Sequence, residues 1–98
     1  MFVFDCNKID DYDITNNEEL NMLIEEIRSF PTLRDATETL LSEFFEVDTI
    51  YGDPIAALLD YVPENKYEEI LNDYHYMIAD NKKELIAKIK NGDAELYL

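Results

Sequence analysis

Apolar residues recur along most of this chain at intervals of three and four, the mark of helices that each bury one face. Leu20, Leu23, Ile24 and Ile27 form the first such set. Thr15-Asn16-Asn17-Glu18 stands before it with capping-box spacing, so that Thr15 accepts from an early helical N–H while Glu18 reaches back. This helix is expected to end near Ser29. Pro31 suits the first turn of a second helix, whose apolar face is Leu33, Ala36, Leu40, Leu41, Phe44, Phe45 and Val47. Gly52 breaks the pattern, and Asp53-Pro54 reads as cap and first turn of a short third helix burying Ile55, Leu58, Leu59 and Val62. Pro63 opens a fourth, with Tyr67, Ile70, Leu71, Tyr74, Met77 and Ile78 at helical spacing. Asp80-Asn81 either caps a fifth helix or lies inside a continued fourth. Leu85, Ile86 and Ile89 carry the pattern on to Asn91-Gly92, with Lys88 and Lys90 placed against the negative end of the helix dipole.

Two runs depart from this period. Phe2-Val3-Phe4 and Glu95-Leu96-Tyr97-Leu98 are β-like. The expected fold is therefore mainly α, a compact bundle of four to five short helices. A small two-stranded ribbon formed by the N- and C-terminal segments would complete it. Length sets one domain over residues 1–98. With only two glycines, neither a mostly β fold nor a glycine-built phosphate loop is expected.

Charge adds what the periodicity lacks. Twenty-three acids face eight bases, for a net charge of −15. The hydrophobic fraction is 47% and Phe plus Tyr supply 12%, too apolar for a disordered acidic tail. The acids must therefore lie on the outside of a folded core, where their mutual repulsion costs stability. The excess is uneven: residues 1–65 hold 16 acids and 3 bases, whereas residues 66–98 hold 7 and 5. Neither the stretch from Ile9 to Ile27 nor that from Asp35 to Asn65 contains a single Lys or Arg. On the second helix Asp35, Glu38, Ser42 and Glu46 fall on one face, and on the first helix Glu18, Asn21, Glu25 and Arg28 do the same. Side chains three or four residues apart rise about 4.5–6 Å along a helix, comparable with the spacing of successive phosphates on a nucleic-acid strand, which advance about 3.4 Å per nucleotide while turning. A row of carboxylates can thus present to a protein what a phosphate backbone presents. A solvated helix face is the plainer reading, but ordinary faces mix signs, and like charges at i,i+4 destabilise a helix.

Catalytic and metal chemistry find little support. Asp11-Tyr12-Asp13-Ile14-Thr15-Asn16 begins like a calcium loop, but its sixth position is Asn16 where Gly is needed and its twelfth is Met22 where a bidentate Glu belongs. His75 is the only histidine and Cys6 the only cysteine, too few for a zinc site of three or four ligands built on His and Cys. His75 reads as a helix-surface or edge residue and Cys6 as a small apolar filler. No cofactor, no metal and no enzymatic activity are expected. A lone thiol, no stretch of about 20 apolar residues and no secretory signal pattern at Met1-Phe2-Val3-Phe4-Asp5 lead to an expected cytoplasmic location. An acidic surface is also repelled by anionic lipid and by nucleic acid, so neither is an expected direct ligand. Of the seven tyrosines, Tyr67 and Tyr74 fit the apolar face, whereas Tyr12, Tyr51 and Tyr61 sit in or beside acidic loops. Aromatic side chains ringed by acids are apt anchors for a basic protein.

Ile9-Asp10-Asp11-Tyr12, Glu19-Leu20, Leu23-Ile24, Leu41, Phe44-Phe45-Glu46 and Asp48-Thr49-Ile50-Tyr51 followed by Pro54 together resemble the immunity proteins of DNase colicins. Those are small acidic four-helix proteins that bind a toxic nuclease. The family's Tyr-Tyr-Pro motif is interrupted here by Gly52 and Asp53, the loop after Tyr12 is longer, and residues 64–98 do not match. The charge pattern is equally similar to that of phage DNA-mimic inhibitors, including anti-restriction and anti-CRISPR proteins.

The expectation is a non-enzymatic acidic inhibitor that occludes a basic nucleic-acid-handling protein: a nuclease, CRISPR effector or restriction enzyme. Asp35, Glu38, Glu46, Asp48, Asp53 and Tyr51 form the densest patch without countercharge, and Asp10, Asp11, Asp13, Glu18 and Glu25 a second. An immunity protein or antitoxin against a nuclease toxin is the first alternative, and a helical adaptor or structural protein the second. The less charged residues 66–98 are compatible with a homodimer interface.

Overall fold

The computed structural model describes residues 1–47 and 54–98. Strand β1 (Phe2–Asp5) leads through a 3-10 turn (Cys6–Asp11) into helix α1 (Asn17–Glu25). A two-residue strand β2 (Arg28–Ser29) precedes α2 (Leu33–Phe44). Then follow α3 (Pro54–Leu59), a 3-10 turn (Glu64–Lys66), α4 (Tyr67–Asp73), β3 (Tyr76–Ala79), α5 (Lys82–Lys90) and a final 3-10 turn (Asp93–Tyr97). The fold is mainly α, as the periodicity predicts, with a small three-stranded antiparallel sheet in the order β2-β1-β3.

The sheet lies between helices. Phe4, Met77 and Ala79 share one buried cluster with Leu23 of α1 and Leu85 and Ile89 of α5. Val3 and Ile78 share the other with Ala36 and Leu40 of α2 and Leu71 of α4. A third cluster joins Leu41, Ile55, Leu59 and Tyr67, so α3 packs on the far side of α2 and α4. There the Tyr67 hydroxyl donates to the buried carbonyl of Leu59 at 3.0 Å.

This arrangement corrects the expected ribbon. β1 pairs with β2 on one edge (Phe2 opposite Ser29) and with β3 on the other (Phe2 opposite Ala79, Asp5 opposite Tyr76). Both edges of β1 are occupied, and residues 93–97 coil instead into a 3-10 turn after Gly92, which turns the chain at φ 80°. Tyr76–Ala79 is the segment expected to be helical. A strand covered on both faces is apolar without interruption, and periodicity does not separate such a run from a buried helix. The break comes at His75, whose φ of 72° ends α4.

Local chemistry shifts the helix ends. Asn16, not Thr15, caps α1, its side chain accepting from the N–H groups of Glu18 and Glu19 at 2.9 and 3.2 Å. Thr15 instead binds the Asp13 carboxylate through both its N–H and its hydroxyl. α1 stops at Glu25 because Arg28 and Ser29 are drawn into the sheet. Thr32, not Pro31, starts α2, accepting from the Asp35 N–H at 3.1 Å and donating its hydroxyl to the Asp35 carboxylate at 2.9 Å. Asn81 caps a separate α5, accepting from the Glu84 N–H at 2.7 Å. Among the described residues no helix is long and apolar enough to cross a membrane.

Candidate interaction surface

The countercharges of the acid-rich region come from neighbouring elements. Arg28 of β2 reaches α2 and donates both terminal nitrogens to Glu43, at 2.7 and 3.1 Å. Hydrogen bonding to Arg28 holds the Glu43 carboxyl below its usual range and raises Arg28. Arg34 donates to Glu38 at 2.8 Å, to Asp60 at 2.6 Å and to the Ala56 carbonyl at 3.2 Å, tying α2 to α3. These bonds, Glu38's foremost, raise the Arg34 guanidinium. Lys8 pairs with Glu26 at 3.5 Å and Lys66 with Glu69 at 3.4 Å. All four bases of residues 1–66 therefore sit in intramolecular ion pairs. Such exposed pairs add little stability, but they settle which carboxylates are left for a partner.

The sites expected from sequence are distributed as follows. Asp35 is exposed, and its carboxylate takes part in the cap at Thr32. Glu38 lies on the same helix face but is half-buried and neutralised by Arg34. Glu46 is exposed just beyond α2. Asp48, Tyr51 and Asp53 lie outside the described residues. Asp10 and Asp11 are exposed on the first 3-10 turn, Asp13 on the loop after it, and Glu18 and Glu25 on α1. Hydrogen bonds from the Thr15 hydroxyl and N–H lower the Asp13 carboxyl below its usual value. None of the exposed acids Asp10, Asp11, Asp13, Glu18, Glu25, Asp35 and Glu46 forms an ion pair among the described residues.

The unpaired bases are all in one place. Lys82, Lys83, Lys88 and Lys90 lie on α5 with only Glu84 as an acid, and none forms an ion pair among the described residues. Among the described residues α5 is thus the one helix with an excess of bases.

Aromatic residues missed by the periodicity complete the picture. Phe44 and Phe45 fit the apolar face of α2 in sequence, yet 53% and 50% of each is exposed. Tyr74, expected in the core, is half-buried and packs against both, tilted on Phe44 with ring centroids 4.7 Å apart and edge to face with Phe45 at 5.5 Å. Phe44 and Phe45 meet edge to face at 5.1 Å. Each helix ends here on a non-glycine residue of positive φ: Glu46 at 52° after α2 and His75 at 72° after α4. At α2 the Glu46 N–H bonds the Glu43 carbonyl and the Val47 N–H the Ser42 carbonyl, a Schellman ending with Glu where Gly is usual. The sequence signal was present but ambiguous: two successive Phe followed by Glu lie a full turn past the last fully buried position, Leu41.

Other candidates are accounted for internally. The Tyr12 hydroxyl donates to Glu26 at 3.2 Å, and its ring packs against the core. Tyr61 is 89% exposed after α3. His75 is a turn residue, not a helix-surface one. Its Nδ1 lies 2.6 Å from the Tyr97 carbonyl, which only accepts, so Nδ1 carries the proton. Cys6 is fully buried, and desolvation with the nearby Asp5 charge pushes its thiol up to about 12. A thiol so placed is a poor nucleophile near neutral pH. A cleft of about 190 Å³ opens between the sheet and α2, lined by Val3, Asp5, Lys8, Glu26, Arg28, Leu40, Glu43 and Tyr76. Two ion pairs already bridge it.

Comparison with protein-family models, curated proteins and solved structures finds no match to this chain.

Proposed function

We propose that this protein is a non-enzymatic acidic binder that occludes the nucleic-acid site of a basic protein such as a nuclease, restriction enzyme or CRISPR effector. One observation carries this reading. Every base of residues 1–66 is consumed in an internal ion pair, while seven exposed acids on the first 3-10 turn, its following loop, α1, α2 and the end that follows α2 have none among the described residues. Internal pairing thus leaves the exposed acids of these elements without countercharge, which steers a basic partner at long range and makes association fall with salt. Exposed carboxylates would occupy positions that phosphates take in the partner's groove. The setting consistent with this is the cytoplasm.

The test is capture of partners from an extract of the producing cell or its natural host, followed by salt and duplex DNA as competitors. A basic nucleic-acid enzyme released by salt and displaced by DNA supports occlusion. A nuclease released by salt but indifferent to DNA moves the reading to an immunity protein acting away from the active site. A partner without nucleic-acid chemistry that survives high salt overturns both and leaves the adaptor.

A further inference from the structure

Phe44, Phe45 and Tyr74 form an exposed three-ring platform whose occupant is indicated by the charges around it. The rings are held by packing rather than by burial: each touches the other two, with centroid separations of 4.7 to 5.5 Å. Half of each Phe stays in water. The chain neighbours of the three rings are Glu43, Glu46, Asp73 and His75; the first three are exposed acids, and no Lys or Arg is adjacent in sequence to any of the rings. A second copy of this chain, itself at net −15, is repelled by such neighbours. A cation is attracted both by the carboxylates and by the negative ring faces.

The molecule displays the relevant chemistry once already, at the residue that precedes Phe44 in the chain. Arg28 gives Glu43 a two-nitrogen hydrogen bond, at 2.7 and 3.1 Å, while its guanidinium carbon lies 5.2 Å from the centroid of the Phe30 ring. Planar, weakly hydrated guanidinium groups satisfy a carboxylate and a ring together, and a compact, strongly hydrated ammonium does so less well. Glu43 is engaged by Arg28, whereas Glu46 and Asp73 form no ion pair among the described residues.

We propose that the Phe44–Phe45–Tyr74 platform, with Glu46 and Asp73 next to it in the chain, is an arginine-docking site that gives the acidic surface a preference for arginine-rich over lysine-rich partners. This rests on the acidic-binder reading above and adds the chemical class that the partner must present. The remaining exposed acids attract both cations through charge, and the platform adds the ring contact that favours arginine further.

The probes are octa-arginine and octa-lysine, equal in charge, titrated calorimetrically against the full chain at physiological ionic strength. Octa-arginine is expected to bind about threefold to tenfold tighter, the increment of one or two exposed ring contacts. The double variant Phe44→Leu/Phe45→Leu keeps apolar side chains and removes the two exposed rings of the three, and it is expected to bring the ratio down toward one while circular dichroism stays native. Neutralising Asp10, Asp11 and Asp13 to Asn is expected to weaken both peptides and leave the ratio unchanged. Equal binding of the two peptides by the unaltered chain, or a preference that survives the double Leu variant, overturns the arginine site while leaving the acidic binder standing. Binding of neither peptide overturns both. A dimer of the chain alone that the double variant dissolves identifies a second copy as the occupant and also overturns it.

Discussion

Phe4 and Phe44 are the same residue in opposite circumstances. Phe4 is fully buried at the middle of the sheet, covered by α1 and α5, whereas Phe44 ends α2 with 53% of its surface in water. Around Phe4 the neighbours are apolar and come from distant parts of the chain, including Leu23, Met77, Leu85 and Ile89. Around Phe44 they are two more rings, and its chain neighbour Glu43 is an exposed acid. One region uses aromatic area to hold the fold together. The other presents it, in a conformation maintained by two helix ends of positive φ. Ring content alone therefore does not distinguish core from contact surface, and coverage by the rest of the chain does.

The sharpest way to break this comparison is to truncate both rings. Phe4→Ala is expected to cost about 3–5 kcal/mol, as deletion of a buried Phe does, a large part of the stability of a domain this size. Phe44→Ala is expected to cost about 1 kcal/mol or less, in the range of surface changes with partial packing. Urea unfolding of the two variants decides it, and equal costs would mean that the platform is structural after all.

Alkaline pH probes the sheet-centred region next. The Cys6 thiol ionises near 9.0 when unperturbed and at about 12 in the fold. Because the folded value is raised, its contribution is fully present below pH 9 and is lost as pH rises toward 12. Tyr12 and Tyr76 are shifted upward as well, Tyr76 chiefly by burial, and add in the same sense. Stability measured from pH 8 to 12 is expected to fall, and Cys6→Ala to flatten part of that slope. A slope unchanged by Cys6→Ala would remove the buried thiol as a cause.

The smallest effect belongs to the platform's own backbone. Glu46→Gly relieves a left-handed residue at a helix end and is expected to raise stability by about 0.5–1 kcal/mol, less than the full strain because glycine is freer in the unfolded chain. Thermal melts of the variant measure it. The same change removes a carboxylate next to the platform in the chain, so a variant that is more stable yet binds octa-arginine less tightly would sharpen the contrast between holding the fold and presenting a surface.

Much of this molecule is legible from local pattern. Helices α1, α2 and α5 follow from apolar spacing with cap residues close by, and the end of α5 at Asn91-Gly92 appears where expected, with Gly92 at φ 80°. The acidic excess of the first two thirds needs no coordinates, because formal charge is a property of composition. What local pattern leaves open is decided by partners far away in sequence. Tyr76–Ala79 is a strand because β1 offers it an edge and helices cover both its faces, a circumstance that erases alternation. Glu38 looked uncompensated because Arg34 stands one residue outside the base-free stretch, yet a single helical turn joins them. Glu43 is neutralised by an arginine fifteen residues earlier, brought near only by β2 joining the sheet. By itself the sequence determined that the protein is small, mainly helical and strongly acidic, since propensity, period and net charge are local or additive quantities. Only the tertiary structure decided which acids stay unpaired and which aromatic rings face water, because burial and ion pairing depend on where the chain returns to itself.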